Sequence, residues 1–220
     1  MIGGSIMIIE QLEVGPFMEN SYVVGCEETK EAVVIDPGAE PDKILAAAEK
    51  HGLKIIRIIN THAHIDHIGA VQEIKEKTGV EFHLHETEKP LVEAYDQQCS
   101  MFGVRFGRKP EVDGFINEGD KIKVGNLEAT AIHTPGHSPG GLCFDFGEAV
   151  FVGDTLFMGS IGRTDLPGGD HKTLIDNIKN KLLVLPSDTR AYSGHGPVTT
   201  IGREKDSNPF LTGKMDFLFQ

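Results

Sequence analysis

Tryptophan is absent from the 220-residue chain, and cysteine is scarce, occurring only at Cys26, Cys99 and Cys143. The three cysteines are widely spaced, odd in number and without a C-x-x-C pair, which is unlike a disulfide framework. The shortage of thiolate also argues against a structural zinc knot. We therefore predict buried or free thiols with a structural role, in a protein that works in a reducing compartment.

Long apolar runs and an excess of positive charge are also missing. No window approaches the ~18 apolar residues of a membrane span, and the N-terminus has no basic region ahead of an apolar one. Lys and Arg number 21 against 33 Asp and Glu, and the net charge of −12 repels phosphate backbones and anionic membrane surfaces. These absences predict a cytoplasmic protein whose partners include neither nucleic acid nor membrane.

Short strand patterns interleaved with a few helical ones fill the chain. They predict two packed sheets with helices outside them, an α/β (α+β) architecture in which residues 1–220 form one domain. Met7 is a candidate native start because the first strand pattern begins there, which would make residues 1–6 an extension.

The predicted strands are 7–14, 20–26, 31–38, 53–59, 80–85, 121–125, 127–133, 141–147, 149–154 and 189–195. The predicted helices are 40–52, 67–79 and 170–185. Residues 86–118 carry the weakest pattern, which predicts a helix near 87–99 followed by an irregular loop.

The most informative segment is "NTHAHIDHIG", which follows an apolar strand and holds His62, His64, Asp66 and His67. Neither a helix nor a strand would point all four side chains at one place. A loop at the strand end can divide them into two adjacent pairs. Imidazole and carboxylate groups suit Zn²⁺, Fe or Mn, so the segment predicts a site for two metal ions.

Two ions whose shells are completed by water or hydroxide require about seven protein ligands, so the others should lie at further strand ends. Three loops offer them: "HTPGHSPGG" with His137, "FVGDT" with Asp154 and "YSGHGP" with His195. Asp36 ends the strand pattern "VVIDPG", where it either orients a ligating imidazole or starts a turn before Pro37. The other five histidines are expected to be structural: His51, His83, His85, His133 and His171.

These motifs, together with "NSYVV", "FVGDTLFMGSIGRTD" and "NPFL", resemble those of the metallo-β-lactamase-fold hydrolases and, among them, of glyoxalase II (hydroxyacylglutathione hydrolase). The resemblance implies a four-layer αββα sandwich with two divalent metal ions per chain, zinc first, with iron or manganese as alternatives. It implies three ligands for the first ion, three for the second and one bridging carboxylate: His62, His64 and His137; Asp66, His67 and His195; and Asp154.

The chemistry of such a site points to thioester cleavage. A hydroxide held between two ions is a strong nucleophile near neutral pH, because metal binding lowers the pKa of water to about 7. A thiolate leaving group, with a thiol pKa of about 8.5, needs little help from a general acid. Asp66 and Asp154 would then be the catalytic carboxylates, and the substrate a small-molecule thioester such as S-lactoylglutathione.

Substrate recognition is less well defined. Arg163 falls where glyoxalase II has a basic residue that contacts the substrate, and it either binds a carboxylate or forms a loop salt bridge. Only 25 residues follow His195, and Pro197 stands where an aromatic residue is expected. We therefore expect no C-terminal helical glutathione-binding domain and a likeness to the short, single-domain bacterial type, with the oligomeric state left open.

Three other activities are weaker alternatives. A persulfide dioxygenase of this fold would use one Fe(II), held here by His62, His137 and Asp154. A tRNA-processing nuclease or phosphodiesterase is disfavoured by the net charge of −12. Lactam cleavage is disfavoured by Asp154, since true β-lactamases of this fold usually have Cys or Ser near the bridging position.

Overall fold

A computed structural model describes residues 5–213, in which two six-stranded sheets pack against each other. The first sheet consists of β1 (Met7–Val14), β2 (Glu19–Cys26), β3 (Glu31–Ile35), β4 (Lys54–Ile59), β5 (Glu81–Leu84) and β6 (Gly114–Phe115), in that spatial order. The β1–β2 and β2–β3 pairs are antiparallel, whereas the pairs from β3 to β6 are parallel.

The second sheet contains β7 (Lys121–Val124), β8 (Leu127–His133), β9 (Leu142–Asp145), β10 (Ala149–Gly153), β13 (Arg190–Ser193) and β14 (Thr199–Thr200). Its spatial order is β14-β13-β10-β9-β8-β7, and only the β10–β13 pair is parallel. A small ribbon pairs β11 (Leu156–Phe157) with β12 (Ser160–Ile161).

Helices cover the outer face of each sheet. They are α1 (Pro41–Lys50), α2 (Ile65–Ile68), α3 (Val71–Thr78), α4 (Lys89–Glu93), α5 (Tyr95–Phe102), α6 (His171–Asn177) and α7 (Ile201–Ser207), with a 3₁₀ turn at Glu86–Glu88 and a π-helix at Ile178–Leu182. Within the described residues, no helix has the length and apolar character needed to cross a membrane.

Alternation along the strands divides the core into three parts. In β2, Tyr22 and Val24 point between the two sheets, whereas Val23 points to the helices on the outer face. In β10, Phe151 joins the core between the sheets, and its neighbour Val152 packs on the other side with α6. The four-layer αββα sandwich implied by the resemblance is therefore confirmed.

Several predicted elements need correction. The helix predicted over 67–79 is two helices, α2 and α3, because the Ala70 N–H donates to the Pro37 carbonyl at 2.9 Å instead of continuing a helical ladder. The helix predicted near 87–99 is a 3₁₀ turn followed by two helices, α4 and α5. Ala94 separates these two helices, and α5 continues to Phe102. The strand predicted to end at His195 stops at Ser193, and β14 and α7 follow it.

Other expectations agree with the structure. Strand β1 begins at Met7, as predicted, while residues 1–4 of the predicted extension lie outside the described residues. All three cysteines are free thiols. Complete burial raises the pKa of Cys143 to about 12, so this thiol is unreactive at neutral pH.

Candidate metal centre

The candidate metal centre lies where the loops after four strands meet. The loop after β4 holds the histidine-rich segment, and the loops after β8, β10 and β13 hold His137, Asp154 and His195. Strand β8 runs in the same direction as β10 and β13, so their carboxyl ends share one edge of the second sheet. The Leu142 N–H donates to the Thr61 carbonyl at 2.8 Å and joins this edge to the first sheet. The fold thereby brings all seven candidate ligands together.

Three histidines form the first group of potential metal ligands. The Nδ1 atom of His64 lies 2.9 Å from Nε2 of His137, which in turn lies 3.3 Å from Nε2 of His62. All three rings are buried, and their inward nitrogens lie within 4.8 Å of one another. Such a convergence of ring nitrogens matches the donor set of a zinc or iron site.

A carboxylate and two histidines form the second group. The Nε2 atom of His195 lies 3.2 Å from Oδ2 of Asp66, and Nε2 of His67 lies 3.9 Å from the same oxygen. His67 and Asp66 belong to the short helix α2, which begins immediately after His64. The start of α2 is therefore the point at which the histidine-rich segment turns from the first group to the second.

Asp154 lies between the two groups. Its Oδ1 atom is 3.5 Å from Nε2 of His67, and its Oδ2 atom is 3.6 Å from Nε2 of both His137 and His195. Neither Asp154 Oδ1 nor His67 Nε2 has a hydrogen-bond partner among the described residues, although both atoms are buried. Because buried polar atoms are rarely left unpaired, these two atoms fit a bound cation.

Asp36 determines which ring nitrogens of His67 and His62 face inward. Its carboxylate accepts hydrogen bonds from His67 Nδ1 at 3.1 Å, the Thr61 N–H at 2.6 Å and the Thr61 hydroxyl at 2.5 Å. Because that hydroxyl donates its only proton to Asp36, it accepts one from His62 Nδ1, 3.0 Å away. The Nε2 atoms of both histidines thus face inward, where a metal could bind. The structure contains the contact that an orienting role of Asp36 requires.

Arg163 contributes to the centre through its backbone. Its carbonyl accepts a hydrogen bond from His137 Nδ1 at 2.8 Å, which leaves Nε2 of His137 facing the other ligands. The exposed guanidinium is paired with both oxygens of Asp165, at 2.7 and 2.6 Å. The loop salt bridge is therefore present, and binding of a substrate carboxylate by Arg163 stays a prediction.

Burial and charge determine the protonation of the centre. Burial, reinforced by His137, lowers the pKa of His64 to about 3, and burial likewise places the pKa of His62 well below its ordinary value. Burial alone would lower the pKa of His67, but Asp154 and Asp66 raise it well above the ordinary value. In the metal-free chain, His62 and His64 are therefore neutral, whereas His67 carries a proton that a metal ion would displace.

The two carboxylates differ from ordinary surface acids. Burial alone would raise the pKa of Asp66, but the charge on His67 and the hydrogen bond from His195 lower it below its usual range. The side chains of Asp66 and Asp154 are 19% and 12% exposed, respectively, so both remain accessible from the cavity above the centre. An ionised Asp66 is in the state that metal coordination requires.

Glu88, which the sequence analysis did not select, joins two of the ligand loops. Its buried carboxylate accepts hydrogen bonds from the Ala63 N–H at 2.8 Å and from the Gly140 N–H at 2.6 Å. Ala63 lies between His62 and His64, and Gly140 follows His137 in the next loop. Burial raises the pKa of Glu88, although these N–H donors favour its charged form. No local sequence signal marks this role, because both partners are backbone amides of distant loops.

Two asparagines also hold ligand-bearing loops in place. Asn60 donates to the His67 carbonyl at 2.7 Å and so closes the histidine-rich segment. Asn20 donates to the carbonyls of Ser193 and Gly196 at 3.0 and 2.9 Å and so fixes the loop that carries His195. Asn20 belongs to the "NSYVV" motif, and the structure gives that motif a physical role.

Two glycines make room for the centre. Gly153 adopts φ +49°, and an added Cβ there would lie 2.2 Å from the Thr61 hydroxyl. A Cβ at Gly194 would lie 2.3 Å from Asp154 Oδ1 and 2.6 Å from Cε1 of His67. Both positions therefore need glycine because ligand-bearing loops approach each other closely there.

The histidines expected to be structural lie outside both groups. His51 follows the last residue of α1 and contacts Glu10, and His171 begins α6. His85 stacks on His133, with ring centroids 4.1 Å apart.

The centre opens into a cavity of about 450 Å³. Candidate ligands and Arg163 line part of it, and apolar side chains line much of the remainder: Phe17, Phe102, Phe157, Ile161 and Leu166. A site of this size and composition can hold a small organic substrate above the ligands.

The sequence model of the Metallo-beta-lactamase superfamily matches residues 14–195. The chain belongs to this superfamily and is a metal-dependent hydrolase of its type. Within the family it is 40% identical to hydroxyacylglutathione hydrolase GloC of Haemophilus influenzae, in an alignment that covers 94% of this chain and 100% of GloC. The resemblance to glyoxalase II inferred from the motifs is therefore confirmed.

Two solved structures match nearly the whole chain. The BLEG-1 B3 metallo-beta-lactamase is 38% identical, with a TM-score of 0.87 over 94% of this chain and 100% of that one. TTHA1623 in a di-iron-bound form is 42% identical, with a TM-score of 0.83 over 92% of this chain and 100% of that one. The His/Asp groups and the di-iron relative together support binding of divalent metal.

Proposed function

We propose that the protein is a thioester hydrolase that uses two divalent metal ions to cleave a small-molecule thioester such as S-lactoylglutathione. The observation that carries this proposal is the placement of Asp154, whose carboxylate lies within 3.6 Å of ring nitrogens from both ligand groups. The first ion would be held by His62, His64 and His137 and the second by Asp66, His67 and His195, with Asp154 between them. Zinc is the first expectation, with iron or manganese as alternatives.

When bound, the ions would supply Lewis acidity that lowers the pKa of water and polarises an acyl carbonyl. The residues of the chain position and protect this chemistry. Asp36 keeps His67 in the tautomer whose Nε2 faces the centre, and the Arg163 carbonyl does the same for His137. Phe17 and Phe157 line the cavity and would shield a bound substrate from water.

The cavity favours a good leaving group. Among the described residues that line it, none is a lysine or tyrosine that could protonate a strongly basic amine. A thiolate leaves without such help, because its conjugate acid has a pKa of about 8.5. The relative named hydroxyacylglutathione hydrolase supports the same substrate class.

The deciding experiment combines metal analysis of the purified protein with hydrolysis of S-lactoylglutathione. We expect about two metal ions per chain and release of the thiol. One iron per chain with oxygen uptake on a persulfide would instead indicate the mononuclear alternative, in which His62, His137 and Asp154 hold the metal. Preferential cleavage of a chromogenic cephalosporin would indicate a lactamase like BLEG-1.

Asp154→Ala should abolish turnover, because it removes the carboxylate that contacts both groups. Asp188→Ala is the matched control, since Asp188 is exposed and precedes β13 at the end remote from His195. Turnover should be measured with metal content, and an Asp154→Ala protein that keeps wild-type activity would refute the bridging role.

A further inference from the structure

A second cavity, of about 430 Å³, adjoins the one above the metal centre. The two cavities share His64, Phe102 and Leu166, so the second begins at a candidate ligand and extends away from it. It runs between the α4–α5 helices on one side and Pro167 on the other. A substrate held at the metal centre could therefore place one arm in it.

The wall of the second cavity is apolar and carries no formal charge. No Lys, Arg, Asp or Glu is among its described lining residues. Eight apolar side chains form most of the wall, and the larger of them include Leu91, Met101, Phe102 and Leu166. A charged peptide arm such as that of glutathione finds no counter-ion there, whereas an aliphatic chain gains from leaving water.

Gln98 and Thr87 also line the second cavity, but their polar side chains leave its wall largely apolar. The Gln98 amide donates to the carbonyls of Ala63 and Leu91, at 3.1 and 2.9 Å, and accepts from the Ile65 N–H at 3.0 Å. The Thr87 hydroxyl is bonded to His85 Nδ1 at 2.8 Å. These groups have partners within the fold, so they offer little to a polar ligand.

Two of the apolar side chains remain exposed to solvent. Met101 is 62% exposed and Phe102 is 38% exposed, although both lie at the rim of a cavity that leads to the centre. Exposed apolar surface beside a functional site is typical of a ligand-binding groove. An aliphatic occupant would cover both side chains.

We propose that the second cavity is a subsite for an aliphatic chain carried by the thioester, in either its acyl or its thiol half. The proposal rests on the thioester hydrolase proposed above and makes its substrate more specific. The preferred substrate carries a medium-length hydrocarbon chain, and S-lactoylglutathione, with a short polar acyl group and a charged thiol half, leaves the second cavity unfilled.

Two substrate series test the subsite and identify the arm that enters it. One series lengthens the acyl chain from acetyl to octanoyl on a constant thiol, and the other lengthens an alkyl thiol that carries a constant acetyl group. We expect kcat/KM to rise about fourfold per added methylene in one series, the factor that corresponds to ~0.8 kcal/mol per buried CH₂, until the cavity is full. If kcat/KM did not change with chain length in either series, the subsite would be overturned.

Substitution of the wall gives a matched comparison. Met101→Ser and Leu166→Ser should each lower the preference for the long chain at least tenfold. The preference is the ratio of kcat/KM for the octanoyl substrate to that for the acetyl substrate, or the corresponding ratio in the thiol series. Val184→Ser is the control, because Val184 is also an exposed apolar side chain but lies outside both cavities. A ratio that falls equally in all three variants would contradict the assignment.

Binding of uncleavable analogues separates this inference from the proposed function. Thioethers of increasing chain length should bind with rising affinity in calorimetry, and Met101→Ser should reduce the increment. Chain-dependent binding without hydrolysis of any thioester would refute the hydrolase and retain the subsite. Hydrolysis combined with chain-independent binding would retain the hydrolase and refute the subsite.

Discussion

Gly194 is the residue at which the candidate metal centre has least room to change. An added methyl group would lie 2.3 Å from Asp154 Oδ1 and 2.6 Å from His67 Cε1. Gly194→Ala should therefore displace two candidate ligands and lower metal affinity by about 10–100-fold, the range seen when groups next to metal ligands are disturbed. Competition with a chromogenic chelator measures the affinity.

The control for Gly194→Ala is Gly107→Ala, where the nearest atom to an added methyl is the Gly69 carbonyl oxygen, 3.3 Å away. The control should bind metal like the wild type. If Gly194→Ala also kept wild-type affinity, Asp154 and His67 would not both be ligands in the arrangement described.

At the scale of secondary-structure elements, the 3₁₀ turn at Glu86–Glu88 connects the loops that carry the first ligand group. Glu88→Ala leaves the buried N–H groups of Ala63 and Gly140 without an acceptor, at a cost of about 1–3 kcal/mol each. We expect a lower free energy of unfolding in urea and weaker metal binding, because His62, His64 and His137 lose their common anchor.

Glu86→Ala provides the comparison for Glu88→Ala, since Glu86 is exposed and belongs to the same turn. Its unfolding free energy should stay within about 0.5 kcal/mol of the wild type. Equal destabilisation in the two variants would show that the turn itself, and not the buried carboxylate, holds the loops.

The elements that the sequence predicts well are those with a long internal pattern. The bounds of β1 and β8 coincide with the predicted strands, since each alternates over seven or eight residues. Strands β6, β11, β12 and β14 have only two residues each and therefore carry no periodicity. The break between α2 and α3 depends on the contact from Ala70 to Pro37, which no local pattern encodes.

The same distinction applies to the candidate site. The chain has only 10 histidines in 220 residues, so a segment that holds three of them, His62, His64 and His67, is visible in the sequence. Glu88 and Asn20 were missed because their partners are backbone groups 25 to 176 positions away. A glutamate near a helix start and an asparagine in a strand are ordinary by composition, so only the fold reveals them.

For the whole molecule, the net charge of −12 predicts that anionic macromolecules are poor partners. We expect no binding of tRNA or of anionic lipid vesicles at low salt, where electrostatic attraction is least screened. Fluorescence anisotropy of labelled tRNA and vesicle co-sedimentation are the measurements. Binding that weakens steeply with added salt would contradict the expectation and revive the nuclease alternative.

The metal centre also links the two halves of the sandwich. His62, His64, Asp66 and His67 follow the first sheet, whereas the remaining candidate ligands follow strands of the second, so bound ions would tie the two sheets together. Ions that bind only the folded chain stabilise it by about 2.7 kcal/mol per site at a hundredfold excess over Kd.

Removal of metal with a chelator should therefore lower the Tm by roughly 5–10 °C per lost ion for a chain of this length. Thermal scans of the loaded, stripped and reloaded protein measure the shift, with metal content determined for each sample. In Asp154→Ala the shift should shrink, because the carboxylate between the two groups is gone. An unchanged Tm after verified metal removal would mean that the fold holds the ligands in place without the ions, with the loops after β4, β8 and β13 preorganised by Glu88, Asn60 and Asn20.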